Sequence, residues 1–329
     1  MRGSTVRTPA LFAGLAAAVF VLPAFLSDFR AQQFAYVAIY VISLTGLNVL
    51  TGYTGQISLG HGAFMAVGGY TTAILMADHG VKDVWTIPAA VAVAGAAGFL
   101  FGIPALRLSG LYLALATFAI AVATPAVIKK FEGFTGGGSG INLFGTPELT
   151  ASLTPVKLLG VSLDFNNWLY YLSWSLALVG YVLAWLLLRG RTGRAFRAVR
   201  DSETAAASSG VSLARYKTLA STVGAAYAGA AGALFAIATT FVNPDTFPIS
   251  LSIFLLVGVV VGGLGSLTGL VAGAVFIQFL PLWAQSVSNS PGAPAVVYGV
   301  ILIVVMLVLP GGFSGLLARV GALRAARRG

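Results

Sequence analysis

The residues able to do chemistry in this chain gather in two places. The first is Asn48–Tyr70, NVLTGYTGQISLGHGAFMAVGGY, where Asn48, Gln56, Ser58 and His61 stand among Gly52, Gly55, Gly60, Gly62, Gly68 and Gly69. Polar side chains in apolar surroundings need hydrogen-bond partners, and glycine lets backbone come close enough to supply them. Two readings follow. The stretch is either a hydrogen-bonded crossing with His61 neutral and satisfied, or a solute pathway lined by Asn48, Gln56, Ser58 and His61. The second place is Arg189–Lys217, the longest hydrophilic interruption of the chain. Arg189, Arg191, Arg194, Arg197, Arg200, Arg215 and Lys217 are opposed there only by Asp201 and Glu203.

Neither place is a catalytic constellation. The nine acidic residues, Asp28, Asp78, Asp83, Glu132, Glu148, Asp164, Asp201, Glu203 and Asp245, fall in expected loops or at span ends. Ion-coupled carriers commonly hold ionisable groups within the bilayer, and acid–base or metal enzymes cluster Asp, Glu and His. Neither pattern occurs, which argues against an ion-coupled secondary transporter and against a membrane enzyme. No Gly-x-x-x-x-Gly-Lys-Ser/Thr sequence exists, and Gly136–Gly140 lacks both that ending and a preceding strand. Without cysteine, disulfides and thiolate metal sites are impossible. The expectation is no catalytic residue, no metal and no cofactor bound by this chain.

The elements that position these residues are apolar. Of 329 residues 58% are hydrophobic and 9% charged, and the mean hydropathy is +0.92; a soluble domain carries about 25% charged residues. The fold class is therefore all-α, a polytopic transmembrane bundle. Candidate spans are 9–27, 34–50, 58–77, 85–105, 110–128, 167–188, 215–240, 249–264, 268–286 and 294–310, about ten in all. The N-terminus has the basic-then-apolar layout of a signal peptide but no convincing small-residue cleavage site, and reads as a retained first span. The chain divides into 1–30, the first transmembrane segment; 31–310, the transmembrane domain, with a cytoplasmic loop at 189–217 and an external segment at 131–166; and 311–329, a basic cytoplasmic tail.

Basic residues at span ends mark the cytoplasmic side. Arg2 and Arg7, the 189–217 loop, and Arg319, Arg324, Arg327 and Arg328 all fall inside if the chain crosses ten times. Lys129 and Lys130 fall outside, in mild conflict. The net charge of +10 follows from this placement without any nucleic acid. The Gly-rich stretches 52–63 and 262–269 could each be a re-entrant or broken helix, which needs protein or a water-filled cavity around it. Gly258 with Gly262, and Gly265 with Gly269 and Gly273, form rows of small residues that suit packing within the chain or, as the sharper reading, a face for a second membrane subunit. The external segment reads as a flexible or partner-binding loop.

Arg194–Ser209 reads as one short helix, rich in alanine and uninterrupted, with Gly210 as its left-handed terminator and Ser212 capping the next helix. From charge alone it is either a solvated connector that sets topology or a surface on which another protein docks.

Six separated segments resemble one family in collinear order over about 47–310. They are LNVLTGYTGQISLGHGAFMAVGGYTTAIL at 47–75, LRLSGLYLALATFAI at 106–120, FTGGGSGI at 134–141, RTGRAFRAVRDSETAAASSGVSLARYKTLA at 191–220, AGAAGALFA at 228–236 and NPDTFPISLSIFLLVGVVVGGLGSLTGLVAGA at 243–274. The chain resembles the LivM-type permease subunits of branched-chain amino acid ABC transporters. The resemblance implies a prokaryotic inner-membrane subunit that pairs with a second, LivH-type permease, two cytoplasmic ATPase subunits that carry ATP and Mg, and an extracytoplasmic amino-acid-binding protein. It implies a coupling helix at 194–209 with Arg194, Arg197, Arg200, Glu203, Ala205, Ala206 and Gly210 toward the ATPase. No Ile-x-Leu-Pro follows Gly210, a departure from the wider importer pattern. A urea or short-amide importer has a similar permease and is the alternative substrate class.

Overall fold

A chain in hydrocarbon must satisfy its backbone polar groups internally, so each apolar stretch folds as a helix. The computed structural model describes residues 27–108, 110–147, 149, 156–158, 161–287, 293–308 and 311–316. The expected first span at 9–27 and the tail arginines lie outside them. Helix α1, Asp28–Leu47, continues as a π-helical segment, Asn48–Tyr53. It starts six residues before the expected 34, so residues 28–30 belong to it and not to the preceding span. There follow α2, His61–Ala77; α3, Asp83–Ala105; α4, Gly110–Lys130; the short α5, Glu132–Thr135; and α6, Phe165–Arg189. Then come α7, Arg191–Asp201; α8, Glu203–Ser208; α9, Leu213–Thr239; α10, Ile249–Gly262; α11, Leu270–Val287; and α12, Ala293–Val308.

Among the described residues six helices are long and apolar enough to cross a membrane, Asp28–Tyr53, Asp83–Ala105, Gly110–Lys130, Phe165–Arg189, Leu213–Thr239 and Pro244–Gly262. Leu270–Gln285 is a shorter apolar helix, and α2 and α12 are shorter than the six as well. The result is an all-α polytopic bundle.

Helix α9 is its axis and packs most extensively on α3 and α2. The approach is backbone to backbone. A Cβ on Gly232 would stand 1.9 Å from Met65 O, and one on Gly68 would stand 2.2 Å from Gly229 O. Gly98 faces Ala225 and Gly102 faces Thr218, while Gly229 faces Ala90, so α3 and α9 run antiparallel. Helix α1 is also antiparallel to α9: Tyr36 meets Phe235 edge-on at 5.6 Å and Gly46 meets Gly224 and Tyr227. The small-residue rows noted in the sequence are used within the chain. A Cβ on Gly273 would stand 2.1 Å from Gly258 O, and one on Gly262 would stand 2.8 Å from Gly269 O, which holds α10 tightly on α11.

Two ends of the bundle differ. One carries α7, α8 and the break after α1. At the other, β1 (Ile141–Asn142) pairs antiparallel with β4 (Phe241–Val242), in register Ile141↔Val242. Between them, β2 (Val156–Leu158) and β3 (Val161–Leu163) form a hairpin in the 131–166 segment. That segment is thus partly built: Leu143 and Leu149 are buried and Leu143 N–H donates to Thr240 O. Lys129 and Lys130 are exposed at this end.

Candidate functional site

The expected single helix at 194–209 is two. Ser202 adopts extended backbone, φ −164° and ψ 118°, and its hydroxyl accepts from Ala205 N–H at 3.2 Å, so it ends α7 and caps α8. A serine hydroxyl competes with the helix for backbone donors, and here the competition wins. Gly210 does terminate α8, with φ +81°. Val211 N–H donates to Ala206 O and Gly210 N–H to Ala207 O, the paired bonds of a left-handed helix end. Ser212 occupies the N-cap position of α9 but its side chain makes no capping bond.

Helix α7 is amphipathic and buries Gly193, Ala195, Phe196 and Val199. Phe196 meets Tyr216 edge-on at 6.2 Å, and Gly193 lies so close to α6 that a Cβ would stand 1.9 Å from Leu188 O. Arg194 and Arg197 point outward; Arg197 Nη1 donates to Leu188 O at 3.5 Å. Arg189 lies 4.9 Å over the Trp185 ring at the end of α6. On α8, Thr204, Ala205, Ala207 and Ser208 are exposed, whereas Ala206 is buried against the bundle. Glu203 does not point free: its Oε2 accepts from Lys217 Nζ at 2.6 Å, and the Lys217 side chain is only 7% exposed. That pair ties α8 to the first turns of α9. Arg200 is exposed as well, but its Nη1 donates to Gly52 O. Of the seven residues expected to face a partner, Arg194, Arg197, Arg200, Ala205 and Gly210 are exposed, Glu203 is half-buried and Ala206 is buried.

All four candidate pathway residues are buried. Asn48 Oδ1 accepts from Gly265 N–H and its Nδ2 donates to Ser266 O, both at 2.9 Å, which stitches α1 to the α10–α11 turn. Gln56 Nε2 donates to Thr54 Oγ1 and Gln56 O accepts from Thr51 Oγ1. Ser58 Oγ accepts from Gly60 N–H at 3.3 Å. His61 Nε2 donates to Ser43 O at 3.0 Å. Ser43 precedes Tyr53 by ten residues, about 15 Å along a helix. The 52–63 stretch is therefore no clean turn: after Thr54 the chain runs back irregularly along α1, and α2 starts level with Ser43, at His61 and not at 58. Thr117 and Ser252, which sequence reasoning passed over, hold that start. Leu59 N–H donates to Thr117 Oγ1 and Gly62 N–H to Ser252 Oγ, each at 2.9 Å. Lone hydroxyls in apolar helices were the available signal. The 262–269 stretch is a turn between α10 and α11, with Gly263 at φ +113° and Gly265 at φ +76°.

An apolar bundle with an irregular break after α1 and an amphipathic helix, α7, at one end is the architecture of a polytopic membrane protein. Residues 29–309 match the family model described as "Branched-chain amino acid transport system / permease component". The chain belongs to that family. It is 36% identical over 291 residues to the high-affinity branched-chain amino acid transport system permease protein LivM of Salmonella typhimurium, covering 84% of this chain and 68% of the relative. The LivM protein of Escherichia coli K12 is 35% identical over 290 residues, with the same coverage. The permease protein LivH of Salmonella typhimurium is 24% identical over 289 residues, covering 84% of this chain and 91% of the relative. No solved structure matches the chain.

Proposed function

We propose that this chain is a transmembrane subunit of an ATP-driven importer of branched-chain amino acids, in the cytoplasmic membrane of a prokaryote. The identity to LivM proteins along 84% of the chain carries the reading. The partners are a LivH-type permease, two ATPase subunits and an extracytoplasmic binding protein. The chain crosses about ten times, the shorter α2, α11 and α12 joining the six long helices and the first span at 9–27. The N- and C-termini and the α7–α8 end then face the cytoplasm, in keeping with the charge of Arg189–Lys217.

Docking uses the exposed face of α7 and α8, Arg194, Arg197, Ala205 and the Gly210 end. When the ATPases close on ATP, α7 and α8 move with them. Gly193 against Leu188 passes the motion to α6, and Glu203 with Lys217 passes it to α9. The paired permeases then switch access. The test is reconstitution with the partner subunits: L-leucine uptake that requires ATP, with ATPase stimulation weakened by replacing Glu203 and Gly210. Uptake of urea but not leucine would select the amide class. Uptake by the isolated chain, driven by a proton gradient, would refute the importer reading.

A further inference from the structure

We infer that Arg200 is a positioning residue that links the coupling element to the irregular end of α1 and to the α10–α11 turn at once. The inference rests on the importer reading and deepens it. The last carbonyls of a helix lack partners within it, and a cation is favoured there by the helix dipole. Gly52 lies at such an end. Gln56 N–H reaches back past it to Leu50 O at 3.2 Å, and Gly52 O takes its hydrogen from Arg200 Nη1 instead. The α10–α11 turn comes to the same point: a Cβ on Gly265 would stand 2.6 Å from Arg200 Nη1 and 3.1 Å from Gly52 O. A Cβ on Gly52 would stand 2.0 Å from Asn48 Oδ1 and 2.5 Å from Gly265 N. Gly55, beyond the π-helical segment, lies against the Arg200 side chain, with its Cβ position 3.4 Å from Arg200 Cγ.

Three elements therefore meet at one guanidinium: α7, the end of α1 and the α10–α11 turn. Asn48 holds the last two together, so a pull on Gly52 O moves both. The end of α1 is π-helical, each hydrogen bond spanning one more residue than in an α-helix, and such segments recur at functional sites. A displacement of α7 delivered through Arg200 thus acts on the one part of α1 whose hydrogen bonding is irregular. A surface arginine that only set topology would have no need of three glycines around it.

The test uses the full complex in proteoliposomes, with binding protein, L-leucine and ATP, measuring leucine uptake and ATP hydrolysis together. ATP is hydrolysed on other subunits. Arg200→Ala is expected to lower leucine taken up per ATP about tenfold, the weight of one charge-assisted hydrogen bond. Arg200→Lys, which keeps a cation able to reach one carbonyl, recovers most of that ratio. Gly265→Ala, which crowds the guanidinium without removing it and also strains the backbone at φ +76°, repeats the loss and decides the matter should the Arg200→Ala chain itself fail to accumulate in the membrane. An unchanged ratio in Arg200→Ala or in Gly265→Ala overturns the inference, as does loss of the ATPase subunits from an Arg200→Ala complex, which would make Arg200 a docking residue. Absence of ATP-dependent leucine uptake in the unaltered complex overturns the importer reading instead.

Discussion

Replacing Asn48 separates a structural from a solute-lining role for the irregular end of α1. Asn48 is buried and both ends of its amide are used, on Gly265 N–H and Ser266 O at 2.9 Å each. Asn48→Leu keeps the branching of the side chain, at a larger volume, and removes both bonds, leaving a backbone donor and a backbone acceptor of the turn without partners. Each lost bond is worth about 1 kcal/mol, and each stranded group adds to the cost. Polar links between membrane helices run smaller, about 0.6 kcal/mol on average. The two limits bracket a loss of about 1–4 kcal/mol in apparent stability. Thermal melting in detergent micelles reads it, and protease cutting near Gly265 should accelerate in parallel, because the turn is released first. Leucine transport at a temperature well below the melting point should fall less than stability does. A variant that melts within about 0.5 kcal/mol of the unaltered protein but has lost leucine transport would refute the reasoning and put Asn48 on the solute pathway.

Glu203→Ala strands Lys217, whose side chain is 7% exposed, while Glu203 itself is 44% exposed and solvent-screened; the expected loss is about 1–3 kcal/mol, and Lys217→Met in the same chain should restore most of it in a double-mutant cycle. Gly232→Val drives a side chain into Met65 O and should cost about 3 kcal/mol or more, seen as failure to accumulate in the membrane. Gly210→Ala meets nothing within 4 Å of its Cβ but must hold φ +81°; the expected loss is about 1 kcal/mol, with Gly210→Asn milder, measured by thermal melting.

The bundle was legible in the sequence because hydropathy over about 20 residues reports directly on a helix that must satisfy its own backbone in lipid. The basic element at Arg189–Lys217 was legible for the same reason, as the place where hydropathy fails. Finer features had no such signal. Ser202 sits in an alanine-rich run where propensity favours one unbroken helix, and without Glu or Gln three residues later no capping box marks the break. The π-helical Asn48–Tyr53 differs from an α-helix only in which carbonyl each N–H finds, which apolar periodicity does not encode. Charge counting treated the arginines of α7 alike, yet the packing around Gly52 and Gly265 singles out Arg200, whose guanidinium bonds Gly52 O. Strands of two residues, like Ile141–Asn142, are too short to alternate visibly. Asn48, Gln56, Ser58 and His61 were recognisable as polar residues in apolar surroundings, but their partners lie as far as 218 residues away in the chain.

The ladder between Ile141–Asn142 and Phe241–Val242 has a consequence for the rim of the molecule. It splices the chain leaving α4 to the chain leaving α9, with Leu143 N–H reaching Thr240 O just beyond it. Those two helix tips cannot part without tearing backbone bonds, so they travel as a single jaw, and any mouth that opens there must be hinged along some other seam.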